Sequence, residues 1–138
     1  MLDLHSFLLA VAAVGGATSD GWVKWNNGYE YKAIKDLYIF FEAELNCSRM
    51  NGHLASIHSQ EENDFVLNLT SSISGDENIF IENAWIGLYE VGNRIWQWTD
   101  GSPLDYEHWD IGEPNYYQSN EYCAFVSSPM SKCSLLRK

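Results

Sequence analysis

The sequence predicts a single α+β domain, with two helices early in the chain and short strands late. Three observations predict it. Residues 35–49 carry apolar side chains at close to helical period. Ser59-Gln60-Glu61-Glu62 has the spacing of a capping box ahead of a second helix. Short aromatic and β-branched runs then recur between turn residues. At 138 residues the chain holds one domain. With 46% hydrophobic and 20% charged residues it can bury a core, which excludes a wholly disordered polymer.

The elements follow in order. Phe7 to Val14 is an apolar run followed by Gly15-Gly16-Ala17-Thr18-Ser19. The small residues Ala17 and Ser19 suit a signal-peptidase site, and the run is too short to span a bilayer. Its head carries Asp3 and His5 but no Lys or Arg. The expectation is a secretory leader over 1–19 and a domain over 20–138, rather than a buried N-terminal helix. Trp22 to Lys32 is aromatic and broken by Asn27-Gly28, a hairpin-turn dipeptide. The first helix is expected over 35–49, with Leu37, Phe40, Phe41, Ala43 and Leu45 on its apolar side and a stop at Asn51-Gly52. Leu54 to Ile57 reads as a short strand. The second helix covers about 60–70, with Phe65, Val66 and Leu69 inward. Residues 71–83 read as a loop. Strands return at Ala84–Tyr89 and Ile95–Thr99, before an Asp100-Gly101 turn, and again at Cys123–Val126.

Charge and cysteine narrow the chemistry. Eight Lys+Arg against 19 Asp+Glu leave a net charge of −11. Such a chain repels phosphate backbones, which argues against nucleic acid, while its oxygen ligands suit a hard cation such as calcium. Cys47, Cys123 and Cys133 are an odd set with no zinc-type spacing. In an oxidising compartment disulfides are expected, and Cys133 can pair with Cys123 or with Cys47. Asn46-Cys47-Ser48 and Asn68-Leu69-Thr70 are glycosylation sequons, the second having the commoner middle residue. There is no GxSxG elbow and no phosphate-binding glycine loop, so an enzyme is not expected.

Residues 100–122 keep no regular period but hold Trp109 and four tyrosines. A long irregular stretch inside a compact domain points to function. Here the ordered strings resemble a C-type lectin domain. Cys47, then Gly52-His53-Leu54-Ala55-Ser56-Ile57 and Glu61-Glu62-Asn63 resemble its first half. Trp85-Ile86-Gly87-Leu88 resembles its central strand. Trp96-Gln97-Trp98-Thr99-Asp100-Gly101, Trp109, Gly112-Glu113-Pro114-Asn115 and Glu121-Tyr122-Cys123 follow in the family's order. The resemblance runs from about Gly21 to Phe125.

The resemblance implies two helices, two small antiparallel sheets and a long loop that carries calcium and sugar. Glu113, Asn115 and Glu121 would be both calcium and carbohydrate ligands, with Pro114 cis between the first two. Calcium takes six to eight oxygens, and residues i and i+2 of an extended segment face one side. Glu-Pro-Asn is the order the family associates with mannose-type sugars. The resemblance fails after Cys123, where no Trp-Asn-Asp string follows and the family's last strands are expected to be missing. Two of five protein ligands are then lost, and calcium binding should be weak. Tyr116 stands where some relatives carry an acid of a second calcium site, so that site is not expected. Tyr116 and Tyr117 are candidates to flank a sugar. Trp85, Trp96, Trp98 and Trp109 read as core, and His53, His58 and His108 as scattered non-ligands. The expected function is a secreted mannose-type lectin with weakened calcium binding. The alternatives are a calcium-independent protein-interaction domain or a non-functional truncated form.

Overall fold

A computed structural model of the chain describes residues 7–12, 21–34, 36, 38–72, 83–116, 121–127 and 132–137. Among these residues the elements run β1 (Phe7–Ala12), β2 (Val23–Lys24), β3 (Glu30–Ile34), α1 (Phe40–Arg49), β4 (His53–Leu54), α2 (Gln60–Ser72), β5 (Asn83–Glu90), β6 (Trp96–Trp98), β7 (Glu121–Ser127) and β8 (Lys132–Arg137). The strands form one sheet, ordered β2-β3-β1-β5-β7-β8, with β4 on β1 and β6 on β5. The class is α+β, with two helices among the described residues.

Two local expectations hold with shifts. The Asn27-Gly28 turn closes β2 on β3 in antiparallel register, with Trp25 N donating to Tyr29 O at 2.9 Å. The first helix starts at Phe40, five residues later than the periodicity suggests. The Tyr38 carbonyl accepts the Trp85 indole N–H at 2.9 Å, so Tyr38 serves the sheet and not a helix. Ile39 is extended, and the Glu42 carboxylate accepts its N–H at 3.3 Å. The buried face of α1 is Phe40, Ala43 and Cys47, whereas Phe41 and Leu45 are exposed. The helix stops as expected, but Asn51 and not Gly52 takes the left-handed conformation, at φ 60°. Asparagine tolerates that region better than most residues.

The sheet departs from two small antiparallel pieces because β1 joins them. It pairs antiparallel with β3, antiparallel with β4 and parallel with β5. Phe7–Ala12 of the apolar N-terminal run is therefore a strand here, not a helix. On the other side of the sheet β8 pairs antiparallel with β7, so among the described residues a strand does follow β7, where the family's last strands were expected to be missing.

Two cores sandwich the sheet. On one face α1 packs Phe40, Ala43 and Cys47 against Leu54, Trp85 and Phe125. On the other, Tyr31, Val66, Ile86, Leu88, Trp98 and Val126 form the larger cluster, with Phe65 packed against it. Successive β5 residues alternate between the two, as strand geometry requires. Gly87 lies where Cβ would meet Leu54 O at 2.8 Å and Thr99 Oγ1 at 2.6 Å. Its backbone bonds Ala55 O and Thr99 N, each at 2.8 Å, so this close approach fixes glycine in the central strand.

Candidate functional site

The site is a loop from Thr99 to Tyr116, held down by side chains from distant elements. It begins where Gly101, at φ 76°, turns the chain after β6. Asp100 anchors it by accepting Ser56 Oγ at 2.6 Å, Ser102 Oγ at 2.6 Å and Ser102 N at 2.9 Å. Burial opposes the charge of Asp100, but these hydrogen bonds outweigh it and hold the carboxyl below the usual aspartate range. Next, His58 Nδ1 meets Asp105 Oδ1 at 2.6 Å and His58 Nε2 meets Ser102 Oγ at 3.2 Å. The His58 contact holds the Asp105 carboxyl low as well.

Serine, histidine and aspartate in this order resemble a nucleophilic triad, but the proton inventory denies it that chemistry. The Ser102 hydroxyl donates its one hydrogen to Asp100, so it offers His58 only lone pairs. A nucleophile must hand its proton to the base. The group is instead a latch that ties the loop to the start of α2. Tyr106 adds to it by donating to Gln60 Oε1 at 2.9 Å.

Farther along, Trp109 packs edge-on against Trp96, with ring centroids 5.1 Å apart. Trp85 and Trp98 are buried as expected, whereas Trp96 and Trp109 are half-buried. A shallow cleft under the loop is lined by Ile57, Leu88, Trp98 and Trp109, away from Glu113. His53 pairs with Glu44 at 2.6 Å, and Tyr106 O–H lies 3.1 Å from His108 Nδ1.

At the loop tip Glu113 N donates to Asp110 O at 2.9 Å, and the Glu113–Pro114 bond is cis. Glu113 and Asn115 face one side and close on each other. Asn115 Nδ2 donates to Glu113 Oε1 at 2.8 Å, and Asn115 N to Glu113 Oε2 at 3.2 Å. Tyr116, with φ 54°, accepts the Trp96 indole N–H at 3.1 Å and has Arg94 over its ring at 4.7 Å. One face of Tyr116 is thus taken by a cation, which leaves less of the ring for a sugar than its sequence position suggests. Tyr117 lies outside the described residues. Glu121 opens β7, its backbone in register with Arg137.

The structure brings Glu113 and Asn115 together, and they offer calcium two side-chain donors. Among the described residues no group of three His, Cys, Asp or Glu side chains is placed to hold a metal ion. Calcium needs six to eight oxygens, so the described side chains do not by themselves fit a resident ion.

The cysteines and sequons fall as follows. Among the described residues Cys47 is a buried free thiol. In the β7–β8 ladder the backbone of Cys123 lies opposite Leu136 and that of Cys133 opposite Val126. Burial, with Glu44 adding to it, pushes the Cys47 thiol far up, so it stays protonated. Asn68 is exposed on α2, while Thr70 of its sequon is buried and donates to Leu67 O at 2.9 Å. Asn46 is half-buried on α1.

The residues missed by sequence reasoning are Arg94, Ser102 and Asp105. His58 and Asp105 are 47 positions apart, and only the fold juxtaposes them.

Known proteins share this architecture. The family model for the lectin C-type domain matches residues 36–135. The chain is 37% identical over 134 residues to the C-type lectin lectoxin-Lio1 of Erythrolamprus poecilogyrus, covering 91% of this chain and 78% of that protein. It is 32% identical to a C-type lectin galactose-binding isoform of Hoplocephalus stephensii, over 93% of this chain and 82% of the relative. It is 38% identical to a C-type lectin mannose-binding isoform of Oxyuranus scutellatus, over 72% of this chain and 63% of the relative. Human lithostathine superposes with a TM-score of 0.75 at 31% identity, over 87% of this chain and 90% of that one. A calcium-independent type II antifreeze protein superposes at 0.72 and 27% identity, over 88% and 85%. No helix among the described residues is long and apolar enough to cross a membrane. With its ordered motifs, its latched loop and a family match over most of its length, the chain belongs to the C-type lectin domain family, a family of carbohydrate-binding rather than enzymatic domains.

Proposed function

We propose that this chain is a secreted carbohydrate-binding domain of mannose-type descent whose hold on calcium is weakened. The observation that carries the reading is the pair Glu113–Asn115, set on one side of a cis proline and hydrogen-bonded to each other at 2.8 Å. A carboxylate acceptor beside an amide donor suits two neighbouring sugar hydroxyls. Glu121 is the third proposed ligand of both sugar and ion. The relatives named above include one mannose-binding and one galactose-binding isoform, and the Glu-Pro-Asn order favours the first. Residues 1–19 are the proposed leader, cut near Ser19, and Asn68 the favoured glycan site, ahead of Asn46. Intact-mass measurement from a glycosylating host tests both: a start after Ser19, and a mass shift that Asn68→Gln abolishes.

Isothermal titration with calcium, followed by mannose-resin retention with and without the ion, tests the site. With two ligands lost at about 1.5–3 kcal/mol each, calcium affinity should fall roughly two to four orders of magnitude below that of a five-ligand shell. Retention should need high calcium, and Asn115→Asp should disturb it. Tight calcium binding by the chain as written refutes the weakening. No retention at any calcium level refutes the sugar reading.

A second reading has its own support. The Asn115 amide is already engaged by Glu113, and the calcium-independent type II antifreeze protein shares the fold. A calcium-independent protein-binding domain would keep its partner in the presence of a chelator.

A further inference from the structure

The segment expected to be a leader is, in the structure, a strand inside the sheet. We propose that the gap between β3 and β5 is a strand-acceptor site, that its occupant is Phe7–Ala12, and that leader removal and closure of this sheet compete for that one segment. The register carries the argument. Along one edge β1 meets β3 from Leu8↔Ile34 to Ala12↔Glu30. Along its other edge it meets β4 at Ala10↔Leu54 and Val11↔His53, and β5 at Phe7↔Ala84 and Leu8↔Trp85. Both backbone edges of the segment are therefore engaged.

Removing β1 has a defined consequence. Among the described residues every remaining pairing is antiparallel, and β2–β3 loses the strand that links it to β5–β8. The one mixed sheet becomes separate antiparallel pieces, as the family resemblance leads one to expect. What opens between them is a row of backbone donors and acceptors on β3, and another on β4 and β5. Unpaired strand edges take up an extended peptide through main-chain hydrogen bonds, with specificity from the alternate side chains. The fitting ligand is a short, uncharged, extended peptide that runs antiparallel to β3 and parallel to β5. Phe7–Ala12 has that chemistry: it is apolar throughout and has no proline to break the ladder. A leader needs the same apolar run, which is why one segment answers to both roles.

The experiment uses the full chain, made where leaders are not processed. Amide exchange is read first. Leu8 to Ala12 should exchange at least about a hundredfold slower than a free peptide, in the range shown by β3. A protease sequence is then inserted between Gly16 and Ala17, and the folded chain is nicked there. The N-terminal fragment should co-elute with the remainder under native conditions and leave only when urea unfolds it. Ala10→Pro, which removes a ladder N–H, should release the nicked fragment at least tenfold faster. Free-peptide exchange rates over 8–12 overturn the proposal. So does a nicked fragment that separates from a remainder whose melting temperature is unchanged. The exchange readout does not depend on Ala10→Pro folding, and neither readout depends on sugar or calcium binding.

Discussion

Glu62 shows how much one residue can carry beyond its local role. Its spacing from Ser59 marks a capping box, and Glu62 N does donate to Ser59 Oγ at 3.1 Å. The carboxylate, however, reaches one residue past the cap: Oε2 accepts His58 N at 2.7 Å. Oε1 accepts the Tyr31 hydroxyl and Asn27 Nδ2, joining α2 to the β2–β3 hairpin in a site where Glu62 is 3% exposed. Burial, reinforced by Glu62, pushes the Tyr31 hydroxyl up, so it remains a donor at any ordinary pH. Glu62→Ala would strand these donors in a dry site. It should cost about 3 kcal/mol or more in urea denaturation, and Glu62→Gln clearly less, because the amide oxygen still accepts. Equal losses for both variants would show that shape, not hydrogen bonding, matters there.

At the scale of elements, α1 separates what periodicity can say from what packing decides. Leu37, Phe40, Phe41, Ala43 and Leu45 are all apolar, and a helical stripe of that kind does not tell which edge turns inward. The sheet selects Phe40, whose ring meets Trp85 edge-on at 5.7 Å, and leaves Phe41 57% exposed. Phe40→Ala should therefore destabilise by about 3–5 kcal/mol and Phe41→Ala by less than about 1, read by the same denaturation. Similar costs would mean that the helix is rotated relative to this packing. The long loop makes the converse point. Its Gly101 turn and its irregularity are readable in sequence, but its anchors are not, since Ser56 and His58 precede Asp100 and Asp105 by more than 40 residues.

For the whole molecule, charge acts against compactness at neutral pH, and acid first relieves the repulsion and then protonates the anchors. At neutral pH the net charge is −11, and titration toward the isoelectric point near 4.5 relieves that self-repulsion. Asp100 and Asp105 oppose this lower down. Their folded carboxyls titrate below the ordinary 3.8, so their contribution is full above that value and is lost as pH falls through the depressed folded values. Thermal stability should hold or rise from pH 7 to about 5 and then drop below about 3.8, with the loop around Trp109 loosening first by tryptophan fluorescence. The Asp105→Asn variant should flatten part of that drop. A monotonic rise in stability down to pH 3 would remove the latch from the account.

The amino-acid sequence by itself determined the α+β class, the Asn27-Gly28 hairpin, both helices to within a few residues, the central strand around Gly87 and membership of the C-type lectin family. These rest on local rules: turn chemistry, capping, apolar period and ordered motifs, each confined to a few neighbouring residues. Tertiary structure alone decided which side of α1 is buried, that Glu62 bridges helix and hairpin, that Ser102 gives its proton to Asp100, and that Glu113 and Asn115 close on each other. It also decided that an apolar run with the composition of a leader lies as a strand between β3 and β5. The reason is that a run of apolar residues fixes only the need to leave water, whereas the partner that satisfies its backbone is chosen by whichever strand edges the rest of the fold leaves open.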